Sequence, residues 1–243
     1  MSEITDVKKL LSVARNWNNT GVANCIKNGI YIPTEKLQRL DEFFNFIIKN
    51  GEFQVKPYSE IVEFGKEIIM AFCVKYGMYC FPTRELIDFL KNEIGDEKKV
   101  IEIGAGRGII SKELNITATD SYQQKQQHIA ELYEVLGQAP IQYGDNVERY
   151  DAIDAIRKFK PNTVLACWVT HKYNPRQHNR EGNAEGVKEE KVLERVRKYI
   201  FVGNDKAHKG KPILDVEHRS YKFPWLLART ENQDLNSIWI WRT

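Results

Sequence analysis

The feature that most constrains this chain is the run Lys99-Val100-Ile101-Glu102-Ile103-Gly104-Ala105-Gly106-Arg107-Gly108. A β-branched apolar segment enters three glycines at alternate positions, and a helical pattern over 109–114 follows. Glycines there let the backbone turn tightly through dihedrals that side chains resist, and they let N–H groups approach a ligand closely. Strand, turn and helix together predict the nucleotide-binding corner of an α/β domain, spanning about 100–120.

Two nucleotide turns share this outline. The dinucleotide pattern G-x-G-x-x-G opens a helix that holds a pyrophosphate, and counted from Gly104 its third glycine falls at Ile109, whereas this chain has Gly108. Glu102, two residues before Gly104, would repel a pyrophosphate but suits an amine-bearing cation. Both observations weigh against a nicotinamide cofactor.

The next β-branched run, Ile116-Thr117-Ala118-Thr119, ends at Asp120 and is followed by Ser121; an acid there can accept both hydroxyls of a ribose. A third expected strand, 140–143, leads into Gly144-Asp145-Asn146. Taken singly, Asp120 and Asp145 read equally well as helix N-caps. Three strand ends in order weigh more than any one.

This E-x-G-x-G-x-G arrangement resembles the first motif of the Rossmann-like methyltransferases. The resemblance implies that S-adenosyl-L-methionine lies over the glycine turn, bound by Glu102, Gly104, Ala105, Gly106, Gly108, Asp120, Ser121, Asp145, Asn146 and Cys167. It covers roughly 79–243. Phe81-Pro82-Thr83-Arg84-Glu85, Val164-Leu165-Ala166-Cys167-Trp168 and Tyr199-Ile200-Phe201-Val202-Gly203-Asn204 are similar to one uncharacterised methyltransferase-like family. The fold implied is a mostly parallel seven-stranded sheet with an antiparallel last strand, plus a helical N-terminal extension.

The periodicity agrees with that organisation. Strands are expected at 99–103, 116–119, 140–143, 163–168, 199–202, 226–228 and 237–241, alternating with helices at 83–94, 109–114, 122–136, 150–158 and 187–197. Before them, Leu37, Leu40, Phe43, Phe44, Ile47 and Ile48 form one helical stripe, and Ile61, Phe64, Ile68 and Phe72 another. Residues 1–76 therefore read as a helical extension or cap, and 77–243 as the methyltransferase-like domain. The stretch 170–186 is polar, carries Pro175 and two glycines, and reads as a long loop.

Composition excludes several classes. With 36 basic and 33 acidic residues, the net charge of +3 gives no nucleic-acid signal. No apolar run approaches the roughly 20 residues that span a bilayer, and residues 1–18 carry no signal-peptide pattern, so a cytoplasmic protein is expected. Cys25, Cys73, Cys80 and Cys167 form no C-x-x-C pair and read as reduced thiols, with no metal site.

The methyl acceptor is not legible. Asn/Asp-Pro-Pro-aromatic, the motif of amino-group methyltransferases, is replaced here by Ala166-Cys167-Trp168-Val169. Cys167 lacks the proline that precedes a cytosine-attacking nucleophile. Trp168, His171 and Tyr173, at or just beyond the end of that strand, are the catalytic candidates; His178, His208 and His218 read as solvent-exposed or capping, and the lysines Lys206, Lys209 and Lys211 as a solvated loop. A binder without catalysis, serving a partner through the helical cap and the polar loop, is the alternative to an enzyme.

Overall fold

The computed structural model describes residues 34–136 and 138–243; the N-terminal stretch 1–18, Cys25 and the side chain of Leu37 lie outside the described residues. The opening segment forms α1 (Thr34–Ile47), α2 (Tyr58–Val62) and α3 (Lys66–Tyr76). The helical stripe expected through Ile48 ends one residue earlier, in a hairpin of β1 (Ile48–Lys49) and β2 (Glu52–Phe53). Asn50 and Gly51 turn it at φ 52° and 78°, the left-handed pair that a tight hairpin requires. Phe43 packs edge-on to Phe72 at 5.2 Å and lies 5.9 Å from Phe81, so this segment shares a core with the chain that follows.

That chain runs through β3 (Cys80–Phe81), α4 (Arg84–Ile94), β4 (Val100–Ile103), α5 (Ile109–Leu114), β5 (Thr117–Asp120), α6 (Gln127–Val135) and β6 (Val147–Arg149). It continues through α7 (Ala152–Phe159), β7 (Thr163–Cys167), α8 (Glu189–Leu193), β8 (Lys198–Asn204), β9 (Arg219–Tyr221), β10 (Leu227–Ala228) and β11 (Asn236–Arg242). Helix starts follow local chemistry. Thr83 accepts from the Leu86 amide at α4, and Asp151 from the Ile153 amide at α7.

The main sheet has seven strands in the order β6-β5-β4-β7-β8-β11-β9. All neighbours are parallel except β11, which runs antiparallel to both β8 and β9. This is the Rossmann-like methyltransferase fold that the resemblance implied. Alternation of side chains places Ile101, Ile103, Val164, Ala166, Tyr199, Phe201, Trp239 and Trp241 on one buried face with α7. Leu165, Ile200, Val202, Ile238 and Ile240 cover the other, under α4. The chain order reverses between β4 and β7, so their carboxyl ends open a crevice.

Two expected strands lie elsewhere. Residues 140–143 are not a strand: Ile141 gives its amide to the Gln124 side chain at 2.8 Å instead of to a neighbouring strand. The third strand is the edge segment β6, so Asp145 and Asn146 precede it rather than follow it. The sixth strand is β9, whereas the expected 226–228 strand contributes β10, which pairs with β3 outside the main sheet. The expected 187–197 helix shortens to α8, and the 122–136 helix begins as a 3-10 turn at Gln123–Lys125 before α6.

Candidate functional site

At the reversal point an open cleft is lined by Met78, Tyr79, Cys80, Glu102, the 104–107 turn, Ile141 and Cys167. The turn residues Gly104, Gly106 and Gly108 take φ of 61°, 56° and 68°, the left-handed region where a side chain is strained. Contacts with the chain itself also demand two of these glycines. A Cβ on Gly104 would sit 2.4 Å from Cγ1 of Val169, and one on Gly108 2.7 Å from the Asn146 amide oxygen. Only at Gly106 is the nearest neighbour, Ile141, at ordinary contact distance, 3.5 Å. Ala105 ties the turn to β5 by donating its amide to the Thr119 carbonyl at 3.0 Å.

Glu102 is 2 % exposed and accepts a short hydrogen bond from the Ser111 hydroxyl of α5. Burial pushes its carboxyl up to about 7, against the bond from Ser111, which pulls it down. Asp120 is also buried: its Oδ2 accepts from the Gly106 amide at 3.0 Å and its Oδ1 from the Tyr122 amide at 2.9 Å. Burial raises this carboxyl too, while those amides lower it. A carboxylate has about four acceptor positions. The Ser121 amide also bears on Asp120, so at least one position remains for a ligand hydroxyl. Ser121 is half-buried beside it.

Residues 138–146 lie across the glycine turn. Tyr143 stacks flat on Tyr122, with centroids 4.0 Å apart and planes 9° apart, and Asn146 donates to the Gly108 carbonyl at 3.0 Å. Asp145 is exposed; the acid that follows the third strand is Asp151, used as the cap of α7. Sequence reasoning missed Tyr143 because its alternating neighbourhood reads as strand.

The three catalytic candidates separate. Trp168 terminates β7 at φ 59°, a conformation that costs a bulky residue energy, and its ring meets Tyr79 at 6.3 Å and His208 at 5.1 Å. His171 is buried, with Nε2 lacking a partner, and burial together with Lys211 lowers its pKa. Tyr173 is exposed and bonds His178 at 2.8 Å. Cys167 is held as a thiol: its contact with Cys80 and its burial raise it well above the ordinary value. That removes the thiolate a nucleophile needs.

The solvated reading of Lys211 fails, and of the two roles expected for His208 the solvent-exposed one does. Lys211 is fully buried with its ammonium 2.5 Å from Glu189, which also accepts from the Tyr199 hydroxyl at 2.8 Å. His208 is 7 % exposed and takes the Asn204 amide at Nδ1. A lysine run gives no sign of a partner 22 residues upstream. Among the described residues no cluster of three His, Cys, Asp or Glu could hold a metal, and no helix is long and apolar enough to cross a membrane.

The fold places this chain among the methyltransferase-like α/β domains. No protein-family model and no curated protein sequence matches it. Among solved structures it is similar to an uncharacterized protein from Listeria monocytogenes serotype 4b, at 11% identity and a TM-score of 0.37, covering 67% of this chain and 68% of that one. It is also similar to the 16S rRNA methylase RmtB, at 12% identity and 0.34, covering 88% and 77%. The CurJ carbon methyltransferase follows at 10% and 0.29, covering 96% and 70%. At these scores the strand order, not the neighbours, carries the fold assignment.

Proposed function

We propose that the protein is an S-adenosyl-L-methionine-dependent methyltransferase. The observation that carries this reading is one cleft, at the point where strand order reverses, that joins the buried Glu102 carboxylate to the glycine turn, whose Gly106 amide is bonded to Asp120. Glu102 suits the ligand's ammonium, and the acceptor capacity left on Asp120 suits a ribose hydroxyl. When bound, the ligand supplies a sulfonium methyl group for transfer to a nucleophile. The residues of the chain then orient the donor, exclude water and hold the acceptor in line. With Cys167 kept as a thiol, this reading places no covalent intermediate on it.

The alternative is a protein of the same fold without catalysis, which binds the nucleoside or serves a partner without using it. Calorimetric titration of the folded chain with S-adenosyl-L-methionine and S-adenosylhomocysteine separates a nucleoside binder from a scaffold that does not use the nucleoside, and turnover with an acceptor separates enzyme from binder. Saturable heat with both supports the first reading; no heat with either removes it.

A further inference from the structure

Ser111 is the polar residue that closes the run Ile109-Ile110-Ser111 at the start of α5, and it is fully buried. A buried hydroxyl needs a partner, because without one it forfeits its bonds to water. Its partner lies nine residues earlier, on the strand that α5 follows: the Ser111 hydroxyl donates to Oε2 of Glu102. The Ser111 amide bonds the same carboxyl.

A further donor reaches that carboxyl from the neighbouring strand. The Cys167 thiol at the end of β7 bonds Glu102, with Cys80 of β3 beside it, and Glu102, Cys167 and Cys80 all line the cleft. Asp120 of β5 bears on Glu102 as a like charge. Hydroxyl, amide and thiol thus converge on one carboxyl. An ionised carboxylate accepts from all three, whereas a protonated one must fit its own O–H among them. The donors therefore favour the charged form, which burial and Asp120 oppose. Only the charged form attracts an ammonium.

We propose that Ser111 and Cys167 are positioning residues, whose bonds hold the Glu102 carboxyl ionised at the cleft wall and so set the pH above which the cleft takes an ammonium-bearing ligand. The identity of that ligand rests on the methyl-transfer reading; the hold on Glu102 does not. Ser111 acts through Glu102.

The test reads the carboxyl directly. In the ligand-free full chain, carbon-13 NMR of the glutamate carboxyls follows Glu102 across neutral pH, its resonance identified by its loss in Glu102→Gln. The midpoint is expected at about 7. It should rise by about one pH unit in Ser111→Ala, as loss of a hydrogen bond to a charged group implies. Ser111→Cys, which keeps a weaker donor, should fall between the two. Cys167→Ser, which exchanges a weak donor for a strong one, should lower the midpoint, and it carries the test alone should Ser111→Ala not fold. A purely structural role would not move the midpoint in opposite directions. An unchanged midpoint in Ser111→Ala overturns the role of Ser111, and one in Cys167→Ser that of Cys167.

A second arm connects the hold to binding. S-adenosylhomocysteine carries an ammonium, and 5′-methylthioadenosine lacks the whole amino-acid end. In calorimetric titrations the affinity for the former should rise through the Glu102 midpoint. At about pH 7 it should fall about fivefold in Ser111→Ala, because the ionised fraction drops from about one half to about one tenth. Affinity for the latter should not change in that variant. Equal losses for both would mean that Ser111 shapes the turn rather than the carboxyl, which overturns the proposal. Failure of the wild type to bind either nucleoside overturns the methyltransferase reading, while the NMR midpoints still decide the hold on Glu102.

Discussion

The Gly106 amide donates to Oδ2 of Asp120 at 3.0 Å, so the glycine turn after β4 is held by the acid that ends the adjacent strand β5. Oδ1 takes the Tyr122 amide at the same time. Asp120 is therefore structural before any ligand arrives. Replacing it with alanine strands two amides, each costing about 1–3 kcal/mol when buried. Asp120→Ala should lower the urea midpoint clearly, and Asp120→Asn, which keeps one acceptor oxygen, by less. Equal loss in both variants would show that the two bonds do not set the cost.

Glu102 predicts a pH dependence. Its folded value of about 7 lies above the ordinary 4.5, so the folded chain binds a proton more tightly than the unfolded one. The contribution of Glu102 to stability is then greatest below about pH 4.5 and is lost as pH rises to about 7, by about 3 kcal/mol in all. Glu102→Gln cannot ionise, so the difference between its unfolding free energy and that of the wild type should grow across that window. A pH-independent difference overturns the assignment. An ammonium-bearing ligand should lower the Glu102 value and release a proton near pH 7, seen as binding heats that depend on the buffer's ionisation enthalpy.

Gly104→Ala combines two penalties. At φ 61° a Cβ costs about 1–2 kcal/mol, and here it would also collide with Cγ1 of Val169 at 2.4 Å. Val169→Ala should rescue only the collision. A double-mutant cycle by chemical unfolding is expected to give a favourable coupling above about 0.5 kcal/mol, since the two residues touch. Additive losses would place the whole cost in the backbone.

Lys211→Ala should destabilise strongly, by about 3–5 kcal/mol, because it leaves the Glu189 carboxylate buried beside Tyr199 without its cation. Removing both charges, as Glu189→Leu with Lys211→Met, should cost much less than Lys211→Ala alone. Thermal unfolding of the three proteins checks the ranking. A double variant as unstable as the single one would mean that packing, not charge, sets the loss.

The sequence by itself determined the segments whose geometry is local. The run through Val100–Ile103, its glycine turn, and the strands ending near Asp120, Cys167 and Asn204 are β-branched, buried and bounded by turn residues, so period and punctuation suffice. Tertiary structure decided the rest. Val147–Arg149 is an edge strand with two exposed polar residues and carries no apolar signal, whereas residues 140–143 alternate like a strand but find a side-chain acceptor on Gln124. Leu226 to Ala228 reads as a sheet strand, yet only packing decides that its partner is Cys80–Phe81. The burial of Lys211 against Glu189, the stack of Tyr143 on Tyr122, and the meeting of Tyr79 with Arg229 and with Trp168 all join residues far apart in the chain. No local period encodes such contacts, because they exist only once the sheet has brought its strand ends together.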